Sequence, residues 1–279
     1  MIVYLNGDFI PKEEARISPD DRGFLFADGA YEVFHAYDGR LFKADQHLAR
    51  MARSLRELRI NGLDTNLLGE VAETLIRQNN LGQGNAVVYL QITRGAAPRK
   101  HTFPAPETPP TVYATAFAHT LPREKQEHGI RVILAPDIRW TRCDIKSVAL
   151  LPNVLAQQQA KDSGAEEALF VRDGTITEGA LTNVCAVFDG QLVTYPKSPY
   201  ILAGIAREVV LELCEKLNIP FKEYPILEKD LRNADELLIC NTTSEIIPVI
   251  QVDEWTVSDG KPGPVTRALQ QAYRELTRS

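Results

Sequence analysis

Several features are missing from the sequence, and each absence argues against a class of protein. No run of about 18 consecutive apolar residues occurs, so a membrane-spanning helix is not expected. The N-terminal segment has neither the basic start nor the apolar stretch of a secretory signal peptide, and we expect a cytoplasmic protein. A Gly-x-Gly-x-x-Gly pattern and a Walker-type loop are also missing, which argues against the dinucleotide and P-loop classes.

Cysteine motifs and clustered charge are scarce as well. The four cysteines lie too far apart for a C-x-x-C redox or metal motif, so we expect reduced thiols and no bound metal; they are Cys143, Cys185, Cys214 and Cys240. Lys and Arg total 31 against 37 for Asp and Glu, a net charge of −6 without a long run of one sign. Because nucleic-acid binding needs clustered positive charge, nucleic acid is not an expected partner.

What is present indicates a two-domain α+β protein. The 279 residues are 44% hydrophobic and 24% charged, which suits a globular protein with a substantial core. Strand-like segments alternate with turn dipeptides such as Asp38-Gly39, a pattern typical of hairpins. Apolar residues at helical spacing predict helices over 45–59, 67–80, 153–162, 205–217 and 264–277.

Two segments punctuate this pattern. Five prolines within 96–110 predict a loop, and the polar, helix-poor residues 119–128 are the predicted interdomain linker. The predicted domains are therefore a small N-terminal domain over 1–118 and a large C-terminal domain over 129–279.

Lys146 is the first candidate for chemistry. It is flanked by Ile145 and Val148 in a segment that we predict to be a strand, where loss of water would favour a neutral, nucleophilic amine. Taken alone, the same pattern also fits a solvent-exposed lysine.

Three further segments could bind an aromatic, phosphorylated ligand. Glu178 follows a turn and could hold a pyridine nitrogen in its protonated form. Gly204 precedes a helix whose N-terminus could bind phosphate, and the hydroxyls of 242–244 could donate to phosphate or cap a turn. Each also has an ordinary structural explanation: a glutamate beside a turn, a helix start or a capped turn.

The remaining candidates are basic. Arg50 lies on a predicted helix but off its apolar stripe, which also fits a solvated face. Arg99 and His101 alternate along the proline-rich loop and could clamp a carboxylate.

In this order along the chain, these segments resemble the class IV, or fold-type IV, pyridoxal-phosphate aminotransferases. The resemblance runs essentially end to end and includes Asp21-Arg22-Gly23 and Asp28-Gly29-Ala30-Tyr31-Glu32. It implies a smaller N-terminal α/β domain, a larger C-terminal α/β pseudo-barrel domain, and a homodimer whose active sites lie between small and large domains.

The resemblance also implies a role for each candidate. Lys146 would carry pyridoxal 5′-phosphate as a Schiff base and act as the catalytic base. Glu178 would pair with the pyridine nitrogen, and Leu202 would pack on the ring. The phosphate would be bound by Arg50, Ile205, Ala206 and Thr242. Family members often have a hydroxyl residue in place of Ala206, so one hydrogen bond of about 1 kcal/mol would be missing here.

Three features resemble the family members that act on D-amino acids. They are Tyr31 after Asp28-Gly29-Ala30, the loop Arg94-Gly95-x-x-Pro98-Arg99-x-His101, and Arg139-Trp140-x-Arg142-Cys143-Asp144-Ile145 before the lysine. The implied carboxylate trap consists of Tyr31, with Arg99 and His101 reaching in from the neighbouring subunit. The expected reaction transfers the amino group of a D-alanine-type substrate to a 2-oxo acid such as 2-oxoglutarate, in ping-pong fashion.

Other functions stay open from the sequence. A branched-chain L-amino acid transaminase or an aminodeoxychorismate lyase of the same fold would share the cofactor residues. Small hydroxyl residues are common in the family where Ala180-Leu181 stands here, which leaves the shape of the substrate pocket open. A cofactor-free dimeric binding protein could keep the fold alone, but the joint presence of Lys146, Glu178, Arg50 and Thr242 argues against it.

Overall fold

The computed structural model describes residues 1–278, so Ser279 lies outside the described residues. The described chain divides into two compact units. The first comprises Met1–Thr120 and Ile145–Ala149, and the second comprises Leu121–Asp144 and the chain from Leu150 onward. The segment that carries Lys146 therefore belongs to the first unit, although residues of the second unit flank it in sequence.

The first unit contains an antiparallel sheet, six-stranded within residues 1–278, with helices packed on it. Its strands are β1 (Ile2–Leu5), β2 (Asp8–Pro11), β3 (Gly29–Tyr37), β4 (Arg40–Leu41), β5 (Asn85–Thr93) and β6 (Thr111–Ala118). Its α-helices are α1 (Arg22–Phe26), α2 (Ala44–Leu58) and α3 (Leu67–Gln78). The strand order is β2-β1-β6-β5-β3-β4.

The core of the first unit lies between the sheet and its helices. Side chains alternate between the two faces of a strand, so Phe34 of β3 and Val88 and Leu90 of β5 point to one side. There they pack in one cluster with Met51 of α2 and Leu75 of α3. The two predicted helices match α2 and α3 to within about two residues at each end.

The second unit is built on a mixed sheet, ten-stranded in the described chain. Its strands are β7 (Ile130–Pro136), β8 (Glu167–Arg172), β9 (Thr175–Gly179), β10 (Asn183–Phe188), β11 (Gln191–Thr194), β12 (Phe221–Glu223), β13 (Ile226–Leu227), β14 (Glu236–Asn241), β15 (Glu245–Val252) and β16 (Trp255–Thr256). Its α-helices are α4 (Arg123–His128), α5 (Leu151–Asp162), α6 (Ile205–Leu217) and α7 (Pro264–Arg278). The pairs β7–β8, β7–β15 and β11–β12 are parallel, and the others are antiparallel.

The segment 119–128, expected to be poor in helix, contains α4. Tertiary contacts explain this helix, because its own residues are polar. The buried side chain of Gln126 donates to the carbonyl of Ser244, 2.9 Å away, and to the carboxylate of Glu245, 3.0 Å away. Gly129, with φ of +81°, ends the helix. A sequence pattern cannot show such anchoring.

Within residues 1–278, none of the helices combines the length and apolar character needed to cross a membrane.

Candidate active site

Lys146 lies along the start of β3 in the first unit. The Tyr31 amide donates to the Lys146 carbonyl, and the Val148 amide donates to the Gly29 carbonyl, both at 3.0 Å. These bonds hold the segment against β3 and place the side chains of Lys146 and Tyr31 together. The Nζ atom of Lys146 is 4.3 Å from the centroid of the Tyr31 ring, and both side chains are half-buried.

The predicted strand around Lys146 is wrong. Residues 137–148 form bends and turns, apart from an isolated bridge at Ser147. Local hydrogen bonds account for this: Arg142 Nε donates to Asp144, at 3.0 Å, and the Ser147 amide donates to the Ile145 carbonyl, at 2.7 Å. Such local bonds compete with a strand ladder, so alternation of apolar residues was a poor guide here.

Arg50 is buried in the structure, unlike an arginine on a solvated helix face. Only 9% of it is exposed, because α2 turns it toward β3. Its Nε and Nη2 atoms donate to the two carboxylate oxygens of Glu32, at 2.9 and 2.7 Å. This bidentate pair fixes the plane of the guanidinium group.

His47 completes the cluster around Glu32. Its Nδ1 atom lies 3.0 Å from Glu32 Oε1, and because a carboxylate only accepts, Nδ1 carries the proton. Burial opposes ionisation of Glu32, but the charge of Arg50 and the His47 hydrogen bond hold its pKa well below the usual range. Burial lowers the pKa of His47, although Glu32 opposes the shift.

Glu178, at the end of β9 in the second unit, is a buried carboxylate with 5% exposure. One oxygen accepts a hydrogen bond from Arg139. The other accepts from the Asn183 side-chain amide at 3.2 Å and from the Leu202 backbone amide at 3.0 Å. Burial raises the pKa of Glu178 to about 7, although the charge of Arg139 opposes this shift.

Arg139 is shared between two carboxylates. Its Nε and Nη2 atoms also donate to Asp137, each at 2.9 Å, and Asp137 accepts a further bond from Arg172 at 3.1 Å. Against the effect of burial, these arginines hold the pKa of Asp137 below its usual range. Arg139 therefore offsets only part of the cost of burying a charge on Glu178.

The start of α6 is packed tightly against Asn183. The Asn183 amide donates to the Leu202 carbonyl at 3.0 Å, and a Cβ on Gly204 would lie 1.9 Å from Asn183 Oδ1. Glycine is therefore required for this close approach. As in every α-helix, the first N–H groups, here those of Ile205 and Ala206, have no acceptor within the helix and suit an anion.

Thr242 lies in the turn between β14 and β15. Asn241 caps this turn, since its side-chain oxygen accepts from the amides of Thr243 and Ser244 at 3.0 and 2.7 Å. The side-chain oxygen of Asn241 thus shapes the turn, in which Thr242 is half-buried.

Arg99 and His101 lie on the predicted proline-rich loop, which contains no helix and no strand between 97 and 110. Both side chains are exposed and flank Phe26: the Arg99 guanidinium is 5.1 Å, and the His101 ring 5.4 Å, from its ring centroid. No hydrogen bond or ring contact in the described chain joins either residue to Lys146. The chain thus brings Tyr31, but not Arg99 or His101, into contact with the lysine.

Local sequence patterns are weak signals for the residues that hold these groups. Sequence patterns assign no role to Glu32, His47, Arg139 or Asn183. Each acts through a partner on another element, and a single sequence does not reveal such pairs.

Comparison with known proteins identifies the family of the chain. The family model for class IV amino-transferases matches residues 29–252. The chain is 44% identical over 278 residues to a D-alanine aminotransferase of Staphylococcus haemolyticus, an alignment that covers 99% of this chain and 98% of the relative. A D-alanine aminotransferase of Bacillus licheniformis is 41% identical, over 98% of this chain and 96% of the relative.

Solved structures of transaminases have a similar fold. The crystal structure of the branched-chain amino acid aminotransferase of Escherichia coli has a TM-score of 0.91 and 27% identity, over 99% of this chain and 94% of the other. A fold IV transaminase of Curtobacterium pusillum, 21% identical with a TM-score of 0.84 over 98% and 93% of the two chains, shares the fold. The predicted α+β fold-type IV class is confirmed, and the chain belongs to the class IV aminotransferases.

Proposed function

We propose that the chain is a D-amino acid transaminase that carries pyridoxal 5′-phosphate on Lys146. The observation that carries the proposal is the amine of Lys146 held 4.3 Å from the Tyr31 ring centroid, in a chain 44% identical to a D-alanine aminotransferase. A fixed primary amine is the group that the aldehyde of this cofactor requires.

The first unit fits two parts of the cofactor. Lys146 supplies the amine, and the buried guanidinium of Arg50 supplies a positive charge for the phosphate. Because Glu32 pairs with Arg50, no uncompensated charge is buried there.

The second unit fits the remaining parts. Glu178 is a buried carboxylate suited to a pyridine nitrogen, and Leu202 lies beside it through its backbone hydrogen bond. Backbone N–H groups of Ile205 and Ala206, with the hydroxyl of Thr242, are suited to phosphate oxygens. The close contact at Gly204, which a Cβ would destroy, keeps the helix start and Glu178 in a fixed relation through Asn183.

The bound cofactor would supply an electron-withdrawing ring that makes the substrate Cα proton acidic. Lys146 would first remove that proton as a general base. As a general acid, it would then donate the proton to the cofactor carbon that receives the amino group. Glu178 would accept a hydrogen bond from the pyridine N–H and so favour the protonated ring. Tyr31, next to the lysine amine, would orient the substrate carboxylate.

Arg99 and His101 would complete the carboxylate trap from a second subunit. Their exposure and their separation from Lys146 within one chain support a shared site in a homodimer. A mixed dimer tests this: one subunit carries Lys146→Ala and the other Arg99→Ala. If sites are shared, the mixed dimer has one intact site, and activity at low substrate exceeds that of either parent. Activity no higher than the parents would contradict sharing.

D-alanine and 2-oxoglutarate are the proposed substrates. The alternative of a branched-chain L-amino acid transaminase is favoured by the fold likeness to the Escherichia coli enzyme, but identity to that protein is 27% against 44% for a D-alanine aminotransferase. An aminodeoxychorismate lyase would need no oxo-acid acceptor.

A substrate panel tests the proposal. Purified protein with pyridoxal phosphate is assayed with D-alanine, L-alanine, L-leucine and aminodeoxychorismate, with and without 2-oxoglutarate, and pyruvate and glutamate are measured. We expect repeated turnover of D-alanine to pyruvate only with the acceptor, and no more than about one pyruvate per active site without it. Preference for L-leucine would support the branched-chain alternative, and pyruvate from an aminodeoxychorismate substrate without acceptor would support the lyase. The Lys146→Ala variant provides the background rate.

A further inference from the structure

The carboxylate of Glu32 is the centre of a buried polar cluster in the first unit. Glu32 is 0% exposed, so water cannot replace any of its partners. Oε1 accepts from the Val33 amide at 2.9 Å, from His47 Nδ1 at 3.0 Å and from Arg50 Nη2 at 2.7 Å, and Oε2 accepts from Arg50 Nε at 2.9 Å. The backbone of β3 and two side chains of α2 thus fix this one carboxylate.

Stability alone does not account for such a cluster. Replacing a buried ion pair by apolar residues of similar volume is often neutral or stabilising, so the pair is weak evidence of a structural role. The pair does fix geometry, because two parallel N–H···O bonds define the plane of the guanidinium and hence the directions of its other N–H groups.

A second buried pair in the same unit has a clear structural role and serves as a contrast. Arg94 binds Asp28 in the same bidentate manner, at 2.7 and 2.8 Å. Its guanidinium also donates to the backbone carbonyls of Leu58 and Arg59, at 2.7 and 2.9 Å. Arg94 therefore ties the end of α2 to the segment before β3, whereas Arg50 binds a carboxylate of β3 itself.

We propose that Glu32 is a positioning residue that sets the orientation of Arg50 for the cofactor phosphate. This inference rests on the proposed function, in which Arg50 is a phosphate ligand. His47 supports Glu32 from the other side: its Nδ1–H donates to the same oxygen as Arg50, and its pKa, lowered by burial, favours a neutral ring that adds no competing positive charge.

The test separates the phosphate from the rest of the cofactor. Affinities of the cofactor-free full-length protein for pyridoxal 5′-phosphate and for pyridoxal, which lacks the phosphate, are measured by absorbance titration. The dissociation constant of pyridoxal divided by that of pyridoxal 5′-phosphate reports phosphate recognition. We expect Glu32→Gln to reduce this ratio about tenfold, equivalent to about 1.4 kcal/mol, mainly through weaker binding of the phosphorylated form. A general loss of structure would weaken the binding of both ligands alike and leave the ratio unchanged.

Two further variants sharpen the test. Asp28→Asn breaks the matched ion pair with Arg94, so it should lower stability without changing the ratio. In an Arg50→Gln background, the added Glu32→Gln change should have no further effect on the ratio, because Glu32 acts through Arg50. The double variant also avoids an unpaired buried charge. If Glu32→Gln does not fold, Glu32→Asp takes its place, because it keeps the charge but shortens the side chain. Its ratio should lie between that of the unmodified protein and that of Arg50→Gln.

The outcomes are distinct. If the unmodified protein binds pyridoxal phosphate more tightly than pyridoxal and Glu32→Gln and Glu32→Asp keep the full ratio, the inference is overturned while the proposed function stands. If the unmodified protein shows no preference for the phosphorylated form, the phosphate site itself is wrong. A lower ratio in Glu32→Gln that persists in the Arg50→Gln background would show that Glu32 does not act through Arg50, which also overturns the inference.

Discussion

Two buried glutamates, one in each unit, both bind an arginine, yet their pKa values shift in opposite directions. Glu32 receives both bonds of a bidentate Arg50 and a further bond from His47, and its pKa lies well below the usual range. Glu178 shares Arg139 with Asp137, and burial raises its pKa to about 7.

The difference shows that an arginine neighbour does not by itself determine the charge of a buried carboxyl. What matters is how much of the arginine is engaged elsewhere. Asp137 takes two bonds from Arg139, so the charge that reaches Glu178 compensates burial only in part. Glu32 is thereby suited to hold a cation permanently, whereas Glu178 can respond to a ligand that brings its own positive charge.

Removing the lysine should break this comparison most completely. Lys146→Ala should reduce transaminase turnover to background, a loss of more than about a thousandfold, because neither glutamate can replace the amine. Both glutamate clusters should survive the change, since neither is bonded to the lysine side chain in the described residues. Initial rates with D-alanine and 2-oxoglutarate measure the loss. Full activity in this variant would disprove the assignment.

The Glu178→Gln change should have the next largest effect. A neutral amide cannot favour a protonated pyridine ring by charge, so we expect kcat at saturating cofactor to fall roughly a hundredfold. The change should affect the ratio of pyridoxal phosphate to pyridoxal affinity much less than Glu32→Gln does. If Glu178→Gln and Glu32→Gln changed kcat and the affinity ratio to the same extent, the proposed difference between the two glutamates would be contradicted.

Arg99 lies outside both glutamate clusters, so its substitution should leave cofactor affinity alone. We expect Arg99→Ala to raise the KM for D-alanine about tenfold or more, since a charged hydrogen bond contributes roughly 1.5–3 kcal/mol. Lys100→Ala, which removes a neighbouring exposed cation, is the matched control and should leave KM near its original value. Equal effects of the two changes would indicate general electrostatics rather than a specific carboxylate contact.

The smallest effect should be a shift in the titration of Glu178. Asp137→Asn removes a charge that raises the pKa of Glu178, so this pKa should fall below about 7 in the cofactor-free protein. Carbon-13 NMR of labelled glutamate carboxyls measures it, with Glu178→Gln to assign the signal. An unchanged pKa would contradict the sharing of Arg139.

The sign of the associated stability change follows from the same shift. The folded-state pKa of Glu178 is raised above its ordinary 4.5, so its contribution to stability is fully present below 4.5 and is lost as pH rises through about 7. Glu32 behaves oppositely: its contribution is present above its ordinary pKa and is lost as pH falls through the depressed one.

Local sequence patterns predicted much of the fold. Helix α6 has the predicted bounds, because periodic apolar residues and adjacent turn residues act locally. The class IV family was likewise predicted and is confirmed.

The rest depended on partners distant in sequence. The position of Arg50 off the apolar stripe of its helix also fits an exposed side chain, but its pairing with Glu32 of β3, 18 residues away, buries it. The segment at Lys146 alternates like a strand, yet local bonds turn it and β3 holds it by backbone hydrogen bonds. The homodimer, the cytoplasmic location and the individual site roles stay predictions, since they concern partners and ligands beyond one chain.

The central claim is that the amine of Lys146 carries the cofactor, and borohydride reduction tests it most directly. Protein incubated with pyridoxal phosphate is reduced, digested and analysed by mass spectrometry, with Lys146→Ala as the control. The account predicts one peptide with a phosphopyridoxyl group on Lys146 and none in the control. Modification of other lysines, with Lys146 unmodified, would contradict it.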